Sequence, residues 1–469
     1  MDIGTISLIL LIGMLVLLAI GMPLGFASGF LAVVVMVLKF EPTLLTDPFV
    51  HGADFASWTM GEGTLTRRFG SGPMNILAQR LYGITTNYVL VSVPLFIFMA
   101  TLLERSGIAR DMYSCLQQWM SRTRGGIAVV TAIMAIVMAA MSGIIGGEVV
   151  LLGLIALPQM LRLGYDKRLA IGTITAGGSL GTMIPPSIIL IFYGLTAEVS
   201  ISHLFLATLV PGLMLAGLYI GYILVRCGLD PAMGPPLSPE ERDMPLSAKL
   251  RLFGGVALPM LVAGGVLVSI YAGFASITES AALGAFGAAV AAWARGTFSL
   301  AMLREVLVQA LRTCGMVFWL VFGTNALIGV YNLMGGIAFA RGVLGGVSDE
   351  PAVILSVMIG VFILLGLLID WIGILFLTMP IFLPTLTSLG YDPIWFGIVF
   401  NLSMQIAYLT PPFGPACFYL KGAAPEGVTL QDIFAAQWPF IGLQCTGLLV
   451  VVLWPDLSLW LPRLVYGGG

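Results

Sequence analysis

Residues 164–194 read GYDKRLAIGTITAGGSLGTMIPPSIILIFYG, and this stretch recurs in altered form later in the chain. Residues 390–420 read GYDPIWFGIVFNLSMQIAYLTPPFGPACFYL, which lies 226 positions further on, the spacing from Pro185 to Pro411. In this register the Gly-Tyr-Asp triplets and the Pro-Pro pairs coincide. Three further landmarks coincide as well: Gly147 with Gly373, Leu157-Pro158 with Leu383-Pro384, and Phe192-Tyr193 with Phe418-Tyr419. So many matches in one register indicate an internal repeat.

The composition is that of a protein embedded in a lipid bilayer. Of 469 residues, 59% are hydrophobic and 9% are charged, whereas soluble domains carry about 25% charged residues. Apolar runs near the 20 residues that a spanning helix needs occur throughout, and they predict roughly ten or more crossings. We therefore expect an all-α polytopic membrane protein. The net charge of -2 and the lack of a basic patch predict no nucleic-acid partner.

Several kinds of chemistry lack their usual residues. The only two histidines are His51 and His203, and the five cysteines show no CxxC spacing, so we expect no metal site built on these side chains. No Walker loop, nucleophile elbow or HExxH motif is present. We expect a protein that is not an enzyme, has no organic cofactor and draws on an ion gradient. The N-terminus lacks a basic signal region, which predicts that the first span is retained.

The repeat divides the chain into four segments. We predict N-terminal spans and an interfacial loop as a scaffold at 1–87, a first repeat at 88–229, a hydrophilic linker at 230–251 and a second repeat at 252–469. Each repeat is expected to contain a hairpin tip and a broken helix, near 142–148 and 182–187 in the first and near 370–373 and 410–414 in the second.

Charge separates the two copies. The first Gly-Tyr-Asp turn carries Arg162, Lys167 and Arg168, but residues 383–400 contain no Lys or Arg. Positive residues mark the cytoplasmic side, so the two turns should lie on opposite faces of the membrane. The repeats are predicted to be inverted, which places a binding site near the bilayer midplane.

The two Pro-Pro breaks carry the predicted site. Proline removes an amide donor and frees nearby carbonyls, so each break should offer exposed carbonyls together with the hydroxyl of Thr182, Ser187 or Thr410. Such oxygens suit a hard monovalent cation such as Na⁺, while the helix that restarts after each break favours a carboxylate at its N-terminus. The alternative is that Pro-Pro only kinks a packed helix.

Three acids stand out in apolar surroundings. Asp370 has two possible roles, ligating a cation or capping the helix that follows it. Glu148 has the same roles open and a third, pairing with a basic side chain. Glu279 fits a capping arrangement in the sequence SITES. Asn325 and Gln405 are weaker polar candidates inside apolar spans.

Motifs along most of the chain, from about residue 3 to 462, resemble the large membrane subunit of TRAP (tripartite ATP-independent periplasmic) transporters. The motifs are residues 93–107, IALPQM at 155–160, GYDKR at 164–168, IPPS at 184–187, Thr278-Glu279 and TPPFG at 410–414. Many members have a serine-rich first hairpin tip, whereas this chain reads SGIIGGE at 142–148. Residues 58–73 also form a longer loop than the resemblance leads us to expect.

The resemblance implies the fold and the physiological setting. It implies an elevator-type transporter of the ion transporter superfamily, with two re-entrant hairpins in a mobile transport domain. It also implies Na⁺ as the coupling ion, a small membrane subunit and a periplasmic substrate-binding protein as partners, and the bacterial inner membrane as the location. Family substrates are organic acids, including C4-dicarboxylates, 2-oxo acids and sialic acid.

Carried onto this chain, the resemblance and the breaks together give two sets of predicted site residues. The expected Na⁺ ligands are Ser142, Gly143, Gly146, Gly147, Thr182, Pro185, Asp370, Gly373, Thr410, Pro411 and Gly414. The expected substrate contacts are Glu148, Pro186, Ser187, Pro412 and Asn325.

Three other functions compete with this interpretation. A carboxylate symporter of the same architecture would work without a binding protein, and an ion channel would use the broken helices as a filter. A polytopic membrane enzyme is the third. Two long, non-identical halves suit alternating access better than a pore, and the scarcity of histidine and of clustered acids argues against an enzyme.

Overall fold

The computed structural model describes residues 2–40, 73–120, 122–143, 145–236 and 246–467. Within these ranges every regular element is a helix. Six helical segments there are long and apolar enough to cross a membrane, and shorter apolar helices accompany them. The prediction of an all-α polytopic membrane protein is confirmed. The number of crossings stays a prediction.

The helices of the first half begin with two apolar helices and lead into the first repeat. They are α1 (Ile3–Ala19), α2 (Leu24–Phe40), α3 (Pro73–Thr85), α4 (Ser92–Arg105), α5 (Ile108–Trp119), α6 (Gly126–Ser142), α7 (Gly147–Arg162), α8 (Lys167–Ser179), α9 (Ile188–Ala197) and α10 (Ile201–Leu229). Short 3₁₀ turns occur at Tyr88–Val91, Leu180–Thr182 and Pro231–Met233.

Ten further helices are described in the second half. Its helices are α11 (Leu246–Tyr271), α12 (Ile277–Ala294), α13 (Leu300–Leu333), α14 (Gly336–Gly345), α15 (Pro351–Gly366), α16 (Trp371–Ser388), α17 (Pro393–Leu409), α18 (Pro415–Ala423), α19 (Leu430–Leu453) and α20 (Asp456–Tyr466).

Two predicted segments lie partly outside the described residues. The predicted interfacial loop falls largely on residues 41–72, and the central part of the predicted linker falls on residues 237–245. On either side of the latter gap, the structure describes the 3₁₀ turn at Pro231–Met233 and the start of α11 at Leu246.

The repeat is visible in how its two broken helices start. Asp166 Oδ1 accepts a 2.8 Å hydrogen bond from the Leu169 amide at the start of α8. Asp392 Oδ1 accepts bonds of 2.7 and 3.1 Å from the Ile394 and Trp395 amides at the start of α17. The aspartate of each Gly-Tyr-Asp triplet is therefore a helix N-cap, which explains why the triplet marks both copies. The Pro185-Pro186 and Pro411-Pro412 peptide bonds are both cis.

The chain divides into two compact units. The first contains Met1–Leu90, Cys314–Met358 and Ile369–Gly390. Inside it α2 packs against the second half of α13 through an apolar cluster, and Ser7 Oγ lies 2.9 Å from Tyr331 Oη. The cluster consists of Leu31, Ala32, Met36, Ala326, Leu327 and Val330.

The second unit contains Val91–Thr313, Ile359–Leu368 and Tyr391–Gly469. Its centre is α8, and every residue from 169 to 194 is buried. Small residues on α8 allow neighbouring helices to approach closely, as is usual where lipid removes the hydrophobic drive for helix association. At Gly172, for example, a Cβ atom would overlap the Phe440 ring of α19.

The acid expected to cap a helix does so. Ser276 and Glu279 form a reciprocal capping box at the start of α12, with Glu279 Oε2 accepting a 2.7 Å bond from the Ser276 amide. The structural interpretation of Glu279 is therefore confirmed.

Candidate functional site

The first hairpin tip lies between the end of α6 at Ser142 and the start of α7 at Gly147; within it, Ile144 is outside the described residues. Gly143 has φ +67° and Gly146 has φ +132°, values that reverse the chain and suit glycine. Since half of the tip is glycine, its backbone is able to approach other segments closely.

This tip lies directly against the first Pro-Pro break. The carbonyl of Gly143 accepts a 3.1 Å hydrogen bond from the amide of Ile188, the first residue of α9. A Cβ atom on Gly143 would overlap the carbonyl oxygen of Pro186. Residues 142–148 and 182–187, predicted as one half of the ion site, are thus brought together by backbone contact.

The first break is closed and lined with polar groups. The carbonyl of Thr182 accepts two hydrogen bonds, from Ser187 Oγ at 2.6 Å and from Asn401 Nδ2 at 2.7 Å. Gln405 Nε2 donates to the hydroxyl of Thr182. The expectation of an exposed carbonyl at Thr182 is therefore wrong, because the Ser187 hydroxyl and the Asn401 amide of α17 satisfy it.

Unpaired oxygen atoms remain beside Thr182. Asn401 Oδ1 and Gln405 Oε1 are buried and accept no hydrogen bond from the described residues. Buried oxygens without donors are rare in folded proteins and call for a water molecule or an ion. Two such oxygens one turn apart on α17 make the first break a candidate site for a hard cation.

The second break is more open than the first. Thr410 Oγ bonds the Ile406 carbonyl at 2.6 Å, and the Thr410 carbonyl accepts from the Gly414 amide at 3.1 Å. Pro411 is half-buried, Pro412 and Phe413 are exposed, and Gly414 is buried. The start of α18 at Pro415 therefore follows an accessible turn, unlike the start of α9, where the corresponding prolines and Ser187 are buried.

Helix α18 also reaches the first hairpin tip. A Cβ atom on Gly146 would lie 3.4 Å from the ring of Tyr419. Tyr419 occupies the position in the second repeat that Tyr193 holds in the first. The first tip therefore contacts the helix that follows each of the two breaks.

Glu148 lies on the first turn of α7 and is 1% exposed. Neither of its carboxylate oxygens accepts a hydrogen bond from the described residues. No described basic side chain forms an ion pair with it. Of the roles left open by the sequence, pairing with a basic residue is thus not what the structure shows.

The remaining predicted residues lie in the first compact unit and are described there. Asp370 caps α16, since its Oδ1 accepts a 3.0 Å bond from the Ile372 amide, and it is half-buried. Gly373 is buried against Leu24 of α2. Asn325 is half-buried on α13, and its Nδ2 donates to the Val321 carbonyl at 2.9 Å.

Sequence reasoning missed a row of polar contacts along α8. Thr175 Oγ donates to Gln437 Oε1 at 2.7 Å, and Gln444 Nε2 donates to Ser179 Oγ at 3.4 Å. Thr175, Ser179 and Thr182 lie four and three residues apart, on one face of the broken helix. This spacing, with Gln437 and Gln444 seven residues apart on α19, was the signal available in the sequence.

Comparison with solved structures shows the class of protein to which this fold belongs. The YdaH transporter of Alcanivorax borkumensis has a similar fold, with a TM-score of 0.62 at 16% sequence identity, covering 85% of this chain and 90% of that one. The chain thus has the fold of a polytopic membrane transporter.

Sequence comparison gives the family. Residues 11–457 match the family described as "Tripartite ATP-independent periplasmic transporter, DctM component". The chain belongs to this family, and the resemblance drawn from its motifs is confirmed. It is a multi-pass protein of the bacterial inner membrane.

Two characterised relatives illustrate the similarity. The C4-dicarboxylate TRAP transporter large permease protein DctM of Pseudomonas aeruginosa is 29% identical over 401 residues, covering 84% of this chain and 91% of the relative. The ectoine/5-hydroxyectoine TRAP transporter large permease protein UehC of Ruegeria pomeroyi is 28% identical over 455 residues, covering 94% of this chain and 99% of the relative.

Proposed function

We propose that this chain is the transport-performing membrane subunit of a Na⁺-coupled importer for an organic acid, and not an enzyme. In this proposal a periplasmic binding protein delivers the substrate and a small membrane subunit completes the complex. The chain's membership of the TRAP large-permease family supports both partners. The relatives' substrates, a C4-dicarboxylate and ectoine, support a small carboxylate as cargo.

The proposed cation site lies at the first Pro-Pro break. The buried oxygens Asn401 Oδ1 and Gln405 Oε1, which no described donor satisfies, are the observation on which it rests. Amide, hydroxyl and backbone oxygens are neutral hard ligands, and they suit Na⁺, a cation of single charge. The predicted ligands from the tip and the breaks are added to this set: Ser142, Gly143, Gly146, Gly147, Thr182, Pro185, Thr410, Pro411 and Gly414. Asp370 and Gly373 lie in the other compact unit and stay separate predictions.

The substrate half is carried by the second break. Helix α18 starts with a proline beyond the exposed residues Pro412 and Phe413. A helix N-terminus with an accessible approach attracts a carboxylate through its dipole. We propose that the carboxylate of the cargo meets α18 here. The other predicted substrate contacts, Pro186, Ser187, Glu148 and Asn325, stay predictions.

Alternating access is proposed to follow the elevator mechanism. In this mechanism the unit carrying the breaks moves relative to a scaffold while it holds ion and cargo. Cysteine accessibility tests this step. A single cysteine in place of the exposed Phe413 should react with a membrane-impermeant maleimide in only one transport state, and substrate with Na⁺ should change the labelling yield. A yield that is independent of substrate and Na⁺ would contradict the elevator.

Transport itself is tested by direct ion substitution. The purified chain, its small subunit and its binding protein are reconstituted in liposomes, and uptake of a radiolabelled cargo is followed with Na⁺ or choline outside. We expect uptake only with Na⁺ and only with the binding protein. Uptake that persists without the binding protein would favour a symporter that works alone, and uptake driven without Na⁺ would remove the coupling ion.

A further inference from the structure

Glu148 is a buried carboxylate without a partner. It is 1% exposed, and its Oε1 and Oε2 atoms accept no hydrogen bond from the described residues. Its position in the first turn of α7 places the N-terminal end of the helix dipole nearby, which lowers the cost of a negative charge without neutralising it.

A second carboxylate faces Glu148 from another helix. Glu104 of α4 is half-buried and lies beside the first turn of α7. Glu104 Oε2 lies 3.5 Å from the place that a Cβ atom on Gly147 would occupy, so this carboxylate packs against the first turn of α7. Two acids from separate helices, Glu148 buried and Glu104 half-buried, thus meet at the first turn of α7.

Arg105, the residue after Glu104, is engaged elsewhere. Arg105 is the cation adjacent to Glu104, but its Nη1 pairs with Glu305 Oε2 at 3.1 Å and its Nη2 donates to Gln309 Oε1 at 3.1 Å. Both contacts direct the guanidinium toward α13. When both acids are ionised, no described basic side chain pairs with either of them.

A buried carboxylate without a basic partner either takes up a proton or binds a cation. Carboxylate oxygens are hard ligands and prefer hard cations. Among the described residues, no three or more His, Cys, Asp or Glu side chains lie together as a group that could hold a metal ion. A ligand set of two carboxylates with one neighbouring arginine fits a single positive charge better than a divalent ion.

We propose that Glu148 and Glu104 form a binding site for one monovalent cation of the Na⁺ class, separate from the oxygens beside Thr182. Gly143 and Gly146 of the same tip contact Pro186 and Tyr419, whereas Glu148 meets α4. A cation at this site would link the hairpin tip to α4 through two charged ligands. The site beside Thr182 has only neutral ligands.

Equilibrium binding of ²²Na⁺ to the purified full-length chain tests the proposal. We expect Glu148→Gln to bind one Na⁺ fewer per chain than the wild type. In Na⁺-free choline buffer the same variant should melt at a higher temperature than the wild type, because the unpaired charge has gone. Glu104→Gln should keep the site and weaken its Na⁺ affinity about tenfold, equivalent to about 1.4 kcal/mol.

Glu426→Gln is the matched control, because Glu426 is exposed and its replacement removes the same charge. This control should leave the number of bound Na⁺ ions and the melting temperature unchanged. An unchanged number of bound Na⁺ ions in Glu148→Gln, or an unchanged affinity in Glu104→Gln, would overturn the proposal. A wild-type melting temperature that responds to pH but not to Na⁺ would also overturn it, since a proton alone would then occupy the pair. Binding is measured without cargo, so this site and the proposed transport function fail on separate observations.

Discussion

The amide of Ile188 donates a 3.1 Å hydrogen bond to the carbonyl of Gly143. This contact fixes the tip of the first hairpin to the helix that restarts after Pro185-Pro186. It satisfies an amide that a helix start otherwise leaves without a partner. Because Gly143 and Ile188 are both buried and a Cβ at residue 143 would overlap the Pro186 carbonyl, the arrangement depends on the absence of a side chain there.

Gly143→Ala tests that dependence. A Cβ atom at residue 143 would overlap the Pro186 carbonyl oxygen, and alanine disfavours the observed φ of +67°. We expect the variant to lose about 2 kcal/mol or more of stability and to lose uptake. Gly217→Ala on α10 is the control, since a Cβ there meets nothing within 4 Å. A Gly143→Ala protein that melts and transports like the control would refute this account of the tip.

Gln405→Leu tests the cation site at the first break. Leucine is apolar and similar in size to glutamine. The substitution therefore removes both the hydrogen bond to Thr182 and the unpaired Oε1 atom. We expect the Na⁺ concentration for half-maximal uptake to rise about tenfold, equivalent to about 1.4 kcal/mol. The control Gln431→Leu, at an exposed position of α19, should leave this Na⁺ concentration unchanged. Equal Na⁺ dependence in both variants would remove Gln405 from the site.

Thr175→Val tests the row of polar contacts along α8. Valine has nearly the same shape but cannot donate the 2.7 Å bond to Gln437 Oε1, which would then be buried without a partner. We expect a loss of about 1–3 kcal/mol, seen as a lower melting temperature in detergent. Thr446→Val serves as control because Thr446 is exposed and bonds only its own helix. If both variants melt together, the contact contributes nothing to stability.

Asp370 is tested by separating its two roles. Asparagine caps a helix about as well as aspartate, whereas alanine does not, and loss of a cap costs about 0.5–2 kcal/mol. If Asp370 ligates Na⁺, Asp370→Asn should keep its melting temperature but weaken the Na⁺ dependence of uptake. Asp370→Ala should lower both. Normal Na⁺ dependence in Asp370→Asn would restrict this residue to capping α16.

The sequence predicted the broken helices and their starts well, because proline and N-cap aspartate act locally. Asp166 and Asp392 cap their helices for reasons contained in three or four residues. The opposite orientation of the two repeats rests on charge alone and stays a prediction.

Contacts between residues that are distant in the sequence could not be predicted from local patterns in this way. No residue near Thr182 in the sequence indicates that the Thr182 carbonyl accepts a hydrogen bond from Asn401, which lies 219 positions away. Nor does the sequence show that Glu148 lacks a basic partner, since that depends on where Arg105 directs its guanidinium. Polar residues at helical spacing mark which face is polar, but not which oxygen remains unpaired.

The central claim is that Na⁺ drives cargo through this chain, and uptake in liposomes tests it most directly. The complex is reconstituted with its small subunit and loaded binding protein, and initial uptake is measured as external Na⁺ is replaced by choline at constant ionic strength. The account predicts uptake that falls to background without Na⁺ and rises with a sigmoidal dependence on its concentration, as expected for more than one Na⁺ per transport cycle. Uptake at the same rate in choline would contradict it.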